Sequence, residues 1–265
     1  MNYNLSFIKK EDFYKHVENT IINYGDNLKP LSLDAFNRNI VDPIKLIFDK
    51  TVYNFTYEDI IKNEIFRQRD KSNNNNIGYF HQKIFSYIKN CKTPNKGWDI
   101  IVENKNGLNI FDDELVSKVF VELKNKHNTM NSSSSAKTYM KMQSQLLKDD
   151  SCACFLVEVI AKKSQNISWE ISLDGVKNKH KLIRRVSVDK FYELITGESN
   201  AFYKICEILP HVVEEVVLKM GSHKIYNDTV IEELKEDNMP FHMALYMLGF
   251  KTYLGFSDDL DLTKK

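Results

Sequence analysis

The chain reads as an α/β protein with a mixed sheet, and three features of its sequence predict this. Helical apolar spacing fills residues 1–92. From Gly97 the pattern switches to alternation, in GWDIIVEN and then in SKVFVEL. A polar loop and the helical stretch AKTYMKMQSQLLK then lead to CACFLVEVIA, a near-continuous apolar run that marks a strand buried on both faces. Helices, paired strands, a crossover helix, a buried strand and more helices make the order of one layered α/β domain over 1–265. Its expected parts are a mainly helical 1–92, a sheet core over 97–190 and a helical 191–265.

Each element follows from local pattern. Phe13, Val17, Ile21 and Ile22 give a helix over Glu11–Ile22. Ser32 is placed to cap a second helix, which Pro43 would kink or split. Ile60, Ile61, Ile65 and Phe66 give a third over Tyr57–Arg69. The run SNNNN at 72–76 reads as a turn, and Phe80, Ile84, Phe85 and Ile88 give a fourth helix beyond it. The NKNG at 104–107 reads as a hairpin turn between GWDIIVEN and a return strand starting at LNIF. Residues 125–135 read as a polar loop ending in helix-capping serines, and Ala136–Lys148 as a helix. SWEISL and KHKLIRRVSV are further strands. DKFYELITG is a helix that Asp189 can cap and Gly197 can stop, and two or three helices follow through Leu254.

Composition narrows the function classes. With 42% hydrophobic and 28% charged residues the chain is globular rather than disordered. It has no apolar run of about 18 residues, so no membrane helix is expected. MNYNLSFIKKEDF has no apolar segment of the signal-peptide kind, so a cytoplasmic location is expected. Cys152 and Cys154 fall on one face of a strand and read, with Cys91 and Cys206, as small buried hydrophobes. A net charge of +1 gives no global field for a polyanion. The charge is uneven, however. Lys118, Lys124, Lys126, Lys137, Lys141 and Lys148 face only Glu122 in their stretch. Lys177, Lys179, Lys181, Arg184, Arg185 and Lys190 face only Asp189 in theirs. The balancing acids, among them Glu232, Asp237 and Asp258, lie near the C-terminus. A polyanion-binding middle is the reading, with a solvated lysine-rich surface as its alternative.

The chemistry is carried by KVFVELK. Val119, Val121 and Leu123 fall on one face, and Phe120, Glu122 and Lys124 on the other. Residues two apart share a face, with Cβ atoms roughly 7 Å apart at a rise of about 3.3 Å per residue. The preceding strand offers a second carboxylate, Asp99, with Trp98 and Ile100 on its opposite face. Two acids converging from adjacent strands beside a lysine suit a hard oxygen-liganded cation such as Mg²⁺, which binds one or two carboxylates together with waters and substrate phosphate. The alternative is a cross-strand salt bridge. GxSxG, P-loop, GxGxxG and HExxH patterns are absent, and His81 reads as a packed helix histidine.

The Asp99 … Glu122-Leu123-Lys124 arrangement resembles the PD-(D/E)xK nuclease superfamily, with Gly97-Trp98 where that motif has its proline. NEIFRQRDKSNNNNIGYFHQKIF (63–85), GWDI (97–100), VELKNKHNTMNSSSS (121–135), RRVSVDKFYELITG (184–197) and NAFYKI are similar to a family of type II restriction endonucleases that cut GGNCC-type sites. The resemblance implies a restriction-endonuclease-like core with N- and C-terminal helical additions. It also implies Mg²⁺-dependent cleavage of double-stranded DNA by a homodimer, with Asp99, Glu122 and Lys124 catalytic. A restriction enzyme further needs a cognate DNA methyltransferase to protect the host genome.

Around that core other residues are singled out. Glu64 is a third metal carboxylate, or else an exposed helix glutamate or an i,i+3 partner of Arg67, and Glu103 is its rival. Lys126, His127, Asn128, Asn131, Ser132 and Lys137 follow the catalytic lysine and suit phosphates and base edges. Arg184 and Arg185 alternate on a strand, so one is expected to face DNA and the other to sit in a surface ion pair. Phe241, Leu245, Leu248 and Phe250 offer a dimer face or a core. Two other functions compete: a repair or junction-resolving nuclease on the same core, and a non-catalytic DNA-binding protein. The second gains nothing from carboxylates placed beside phosphates.

Overall fold

The computed structural model describes residues 5–26, 29–173, 175–221, 227–236 and 239–251. The N-terminal elements are α1 (Lys10–Asp26), α2 (Leu33–Asn37), α3 (Pro43–Val52) and α4 (Tyr57–Lys83). Next come β1 (Cys91–Lys92), β2 (Ile100–Phe111), β3 (Glu114–Lys126), α5 (Ser132–Leu146) and β4 (Cys152–Ile160). The chain then forms β5 (Asn166–Leu173), β6 (Val176–Ser187), α6 (Val188–Thr196), α7 (Ala201–Met220), α8 (Val230–Glu236) and α9 (Phe241–Phe250). They divide into two compact units, Met1–Ile22 with Asn76–Gly221, and Asn23–Asn75 with Ser222–Lys265. Among the described residues no helix is long and apolar enough to cross a membrane.

The first unit is built on a six-stranded mixed sheet of order β1-β2-β3-β4-β6-β5. β2 and β3 pair antiparallel, β3, β4 and β6 run parallel, and β5 returns antiparallel on β6. The expected alternation decides what each face buries. Val119, Val121, Ala153, Phe155 and Val157 pack with Phe13, Phe85 and Phe191 in one core. Phe120, Cys152, Cys154 and Leu156 point the other way and pack with Tyr139 and Met142 of α5. The two cysteines therefore share a face as expected, and Cys154 Sγ donates to the carbonyl of Met142. The fold is the mixed-sheet, restriction-endonuclease-like α/β class that the sequence indicates.

The second unit is helical. Phe36, Val41, Leu46, Ile60, Ile61 and Ile65 form its core with Val230, Leu234, Ala244 and Leu245. Pro43 splits the second predicted helix in two. Ser32 Oγ caps α2 through the Ala35 N–H (3.3 Å), and Asp42 Oδ1 caps α3 through the N–H groups of Ile44 and Lys45, with Pro43 starting the new helix. Of the apolar residues of α9, Leu245 is fully buried, and Phe241 and Leu248 pack on the same core. These residues are core, which was one of their two expected roles. The acids at 237 and 258–261 and the expected helical residues 252–254 lie outside the described residues.

Two turn assignments are corrected. SNNNN does not interrupt α4, which runs unbroken from Tyr57 to Lys83. Asparagine costs a helix only about 0.7 kcal/mol per residue relative to alanine, which is a weak signal against continuity on both sides. Asn74 moreover donates to the Asp70 carboxylate one turn back, at 2.9 Å, on an exposed face. NKNG is not the reversal either. β2 continues to Phe111, and its register against β3 shifts between Glu103 and Leu108, with Gly107 at φ +83°. The chain reverses at Asp112 and Asp113, both at positive φ as a tight primed hairpin requires.

Candidate active site

β3 changes character along its length. Phe120 is buried against the α5 face, and the next two residues on that face are Glu122 and Lys124. The strand is therefore anchored by apolar packing up to the point where its charged residues begin. Glu122 keeps only 17% of its side chain exposed, and a carboxylate so placed needs partners. It has two. Lys124 Nζ donates to Oε1 at 2.9 Å, and Lys141 Nζ from α5 donates to Oε2 at 2.8 Å. Burial pushes the Glu122 carboxyl up, but the hydrogen bonds and charges of Lys141 and Lys124 outweigh it and hold the group below its ordinary value.

Asp99 precedes β2 and is fixed to β3 through main-chain groups. Its N–H donates to the carbonyl of Val121 at 3.0 Å, and its Oδ2 accepts the N–H of Leu123 at 2.7 Å. These bonds bracket Glu122, so the register of β2 against β3 sets the two carboxylates as neighbours. Burial is the largest influence on Asp99 and pushes its carboxyl above the ordinary value, with the Glu122 charge adding to it. The Leu123 N–H, Lys124 and Lys141 act the other way without prevailing. The two acids are thus driven apart, one held ionised and the other made harder to ionise, a pattern that recurs at functional sites.

Lys141 is the residue that sequence reasoning missed as part of this cluster. It appeared only as one cation of a lysine-rich stretch. Its Nζ also donates to the carbonyl of Gly97 at 2.6 Å and lies 4.0 Å from the centroid of the Trp98 ring. Trp98 was expected on the face opposite Asp99. It instead packs on Phe120, ring centroids 5.5 Å apart, because β2 starts only at Ile100 and strand alternation does not reach back to residue 98. Neighbours Tyr139 and Met142, both fully buried on α5, are the signal that could have placed Lys141 on or near the sheet-facing side of the helix.

The other singled-out residues divide. Lys126 ends β3, and His127, Asn128 and Thr129 form the turn to α5. Asn131 Oδ1 caps that helix through the Ser134 N–H at 2.8 Å, with Ser132 in its first turn. Lys126 and Lys137 are exposed and make no ion pair among the described residues. All of them lie within fifteen residues after Glu122, as the count from 122 to 137 shows.

Arg184 does not face outward. It is 5% exposed, donates to Asn166 and to the carbonyl of Lys181, and stacks on Phe111 at 4.0 Å. Arg185 is the ion-paired member, but its partner Glu158 is buried rather than on the surface. Arg185 also donates to the carbonyl of His127 at 3.1 Å, tying β6 to the turn after β3. Glu64 lies in the second unit, 6% exposed, where it accepts from Arg67 at 2.5 Å and from Gln68. Its i,i+3 partnership with Arg67 is therefore present. Glu103 pairs with Lys92 and Lys118.

Among the described residues no three His, Cys, Asp or Glu side chains gather into a metal cage. Asp99 and Glu122 alone supply two hard oxygen donors, the number that suits Mg²⁺ when water and substrate phosphate complete the shell.

The mixed sheet flanked by helices is of the restriction-endonuclease-like α/β class, and in it Asp99 stands just ahead of β2 while Glu122-Leu123-Lys124 lies late in β3. Residues 5–218 match the family described as Eco47II restriction endonuclease. The type II restriction enzyme Sau96I of Staphylococcus aureus is 28% identical over 262 residues, covering 90% of this chain and 97% of that enzyme. The type II restriction enzyme Eco47II of Escherichia coli is 26% identical over 223 residues, covering 80% and 88%. The chain belongs to the Eco47II restriction endonuclease family.

Two stability outcomes follow from this geometry. Because the folded protein holds the Asp99 proton more tightly than the unfolded chain does, stability falls as pH rises from the ordinary carboxylate value of about 3.9 through the raised one. Above that window the cost is fully present. Asp99→Asn should therefore melt higher than wild type at pH 7 in chelator, with the gap closing below about pH 4. A variant less stable than wild type at pH 7 contradicts the burial argument. For the second pair, Arg185→Met leaves Glu158 buried and unpaired and should cost about 3–5 kcal/mol in denaturant titrations. Adding Glu158→Met should recover much of that loss. If the double variant is as unstable as the single one, the damage comes from the His127 contact instead.

Proposed function

We propose that this protein is an Mg²⁺-dependent type II restriction endonuclease that hydrolyses phosphodiester bonds of double-stranded DNA at a short GC-rich palindrome of the GGNCC kind. The observation that carries the reading is Glu122, flanked on β3 by Lys124 and set beside the buried Asp99 by main-chain hydrogen bonds. Membership of the family supports cleavage of DNA, and the GC-rich site follows from the resemblance in the segments 63–85, 121–135 and 184–197. A homodimer fits a palindrome, since each subunit reads one half-site and cuts one strand.

In this reading Asp99 and Glu122 hold the metal. A divalent cation there supplies Lewis acidity toward a phosphoryl oxygen and lowers the pKa of bound water. Asp99 meets it already oriented, because the Leu123 N–H fixes one of its oxygens. Lys124 offers a compact ammonium that orients the attacking water or stabilises charge on the phosphoryl oxygens. The turn after β3 follows directly. Lys126 and Lys137 suit phosphates, and Asn128 a base edge, while Asn131 is already committed to capping α5. The engagement of Arg184 with Asn166 and Phe111 favours a structural role for it over base reading. Glu64, held by Arg67 and Gln68, is similarly committed.

Incubation with unmethylated phage DNA and Mg²⁺, followed by sequencing of the ends, tests the activity and reads the site. Asp99→Ala and Glu122→Ala should each lose cleavage while keeping or tightening DNA binding, since both remove a charge that repels phosphate. Lys124→Ala should lose roughly 10²–10⁴-fold in rate with little change in affinity, and Lys124→Arg should recover little of it. Near wild-type cutting by either carboxylate variant rules out the assignment.

A further inference from the structure

Lys141 holds Glu122 in a way that bears on how the metal arrives. Its ammonium occupies Oε2 of Glu122 at 2.8 Å while Lys124 occupies Oε1 at 2.9 Å, so both carboxylate oxygens already carry a cation. A carboxylate oxygen keeps a second lone pair beside the one that an ammonium uses, so a divalent ion ligating Glu122 would share an oxygen with a lysine at close range. A lysine and a divalent ion crowded on one carboxylate in a half-buried site repel each other strongly. One of the two lysines has to yield.

The contacts favour Lys141. It has two anchors that do not involve Glu122: the Gly97 carbonyl at 2.6 Å and the Trp98 ring at 4.0 Å. Those anchors keep its ammonium at the edge of the site when the carboxylate oxygen is given up. Lys141 also comes from α5, at a distance in sequence from the strand, so its withdrawal does not require β3 to move. Its side chain is 37% exposed, which leaves the ammonium reachable by an incoming phosphate.

We propose that Lys141 is a displaceable counter-ion that stands on Glu122 in the DNA-free protein and moves to the DNA phosphate when the metal binds. The inference rests on the assignment of Asp99 and Glu122 as the metal carboxylates. Its consequence is coupling. Without DNA, a metal must expel an ammonium that has no anion to go to, so the free site binds metal weakly. With DNA, the phosphate takes up the displaced charge, and each ligand strengthens the other by the same factor. Lys141 is in this sense a positioning and gating residue; it need not touch the reacting atoms.

Calorimetric titration of Ca²⁺ alone into the DNA-free protein tests this directly. Lys141→Met keeps the stem over Trp98 without the charge, and Lys141→Gln keeps a donor for the Gly97 carbonyl; having both guards against one variant misfolding. Each should bind Ca²⁺ at least about tenfold more tightly than wild type, within the usual range of coupling between sites. Lys141→Arg should stay near wild type. A lysine that merely props Trp98 and Gly97 would give equal or weaker binding in both neutral variants, and that result overturns the proposal. Adding Asp99→Ala separates the underlying assignment: tightened binding that survives this change puts the ion elsewhere, and then the metal-site reading fails. If Asp99→Ala removes Ca²⁺ binding but the neutral Lys141 variants match wild type, only the counter-ion role is lost.

Discussion

The carboxylate of Glu122, shared between an ammonium of its own strand and one from the crossover helix, is the interaction on which the arrangement of the site depends. A carboxylate at this depth is costly unless its charge is answered by good hydrogen bonds. Lys124 answers it from two residues away, which the pleat alone provides. Lys141 can answer it only if α5 lies over the same face of the sheet. The apolar contacts of Tyr139 and Met142 with Phe120, Cys154 and Leu156 secure that placement. The core under α5 and the charge cluster at the end of β3 are therefore one construction, apolar along the strand and ionic at its tip.

The hydrogen bonds of Asp99 add the second constraint. Its side chain accepts from Leu123 and its N–H donates to Val121, so the acid is locked to the main chain of the very strand that carries Glu122. Burial then makes it reluctant to ionise, while two lysines hold Glu122 ionised. Burying the Asp99 carboxyl costs the fold stability at neutral pH, and a site that gives up stability in this way fits the compromise between stability and activity that the proposed metal-binding role would require. Residues 5–218 place the chain in the Eco47II restriction endonuclease family, and the proposed role of these two acids in cutting a phosphate backbone accords with that membership.

Much of this was legible in the sequence. The alternation of SKVFVELK sets Glu122 and Lys124 on one face, and the near-continuous apolar run of CACFLVEVI, broken only by Glu158, marks β4 as doubly buried; both are as observed. Ser32 and Pro43 mark real helix starts for the same local reason. What failed was context. The SNNNN run is a weak local preference that the rest of α4 overrides. NKNG carries the chemistry of a tight turn, yet the strand absorbs it as a bulge and turns at two aspartates instead. Of Arg184 and Arg185 one is expected to face DNA and the other to pair on the surface, and neither does, because sequence gives their charge but not Asn166 and Phe111, which draw Arg184 inside, or the buried Glu158 that pairs Arg185. Lys141 was one lysine among six in its stretch, and nothing local distinguishes it. Only the packing of α5 on the sheet brings it to a carboxylate nineteen positions earlier.

The account turns on the proposal that Asp99 and Glu122 hold a divalent ion, and Fe²⁺ at saturating concentration can test it without any assay of DNA cleavage. Bound Fe²⁺ with ascorbate and peroxide generates hydroxyl radicals that cut the polypeptide within a short radius of the metal. Fragments mapped by mass spectrometry should end next to Asp99 at the start of β2 and next to Glu122 late in β3, and both should vanish on adding excess Mg²⁺. Cuts that instead fall around Glu64, or anywhere away from these two strand ends, would contradict the assignment of the site.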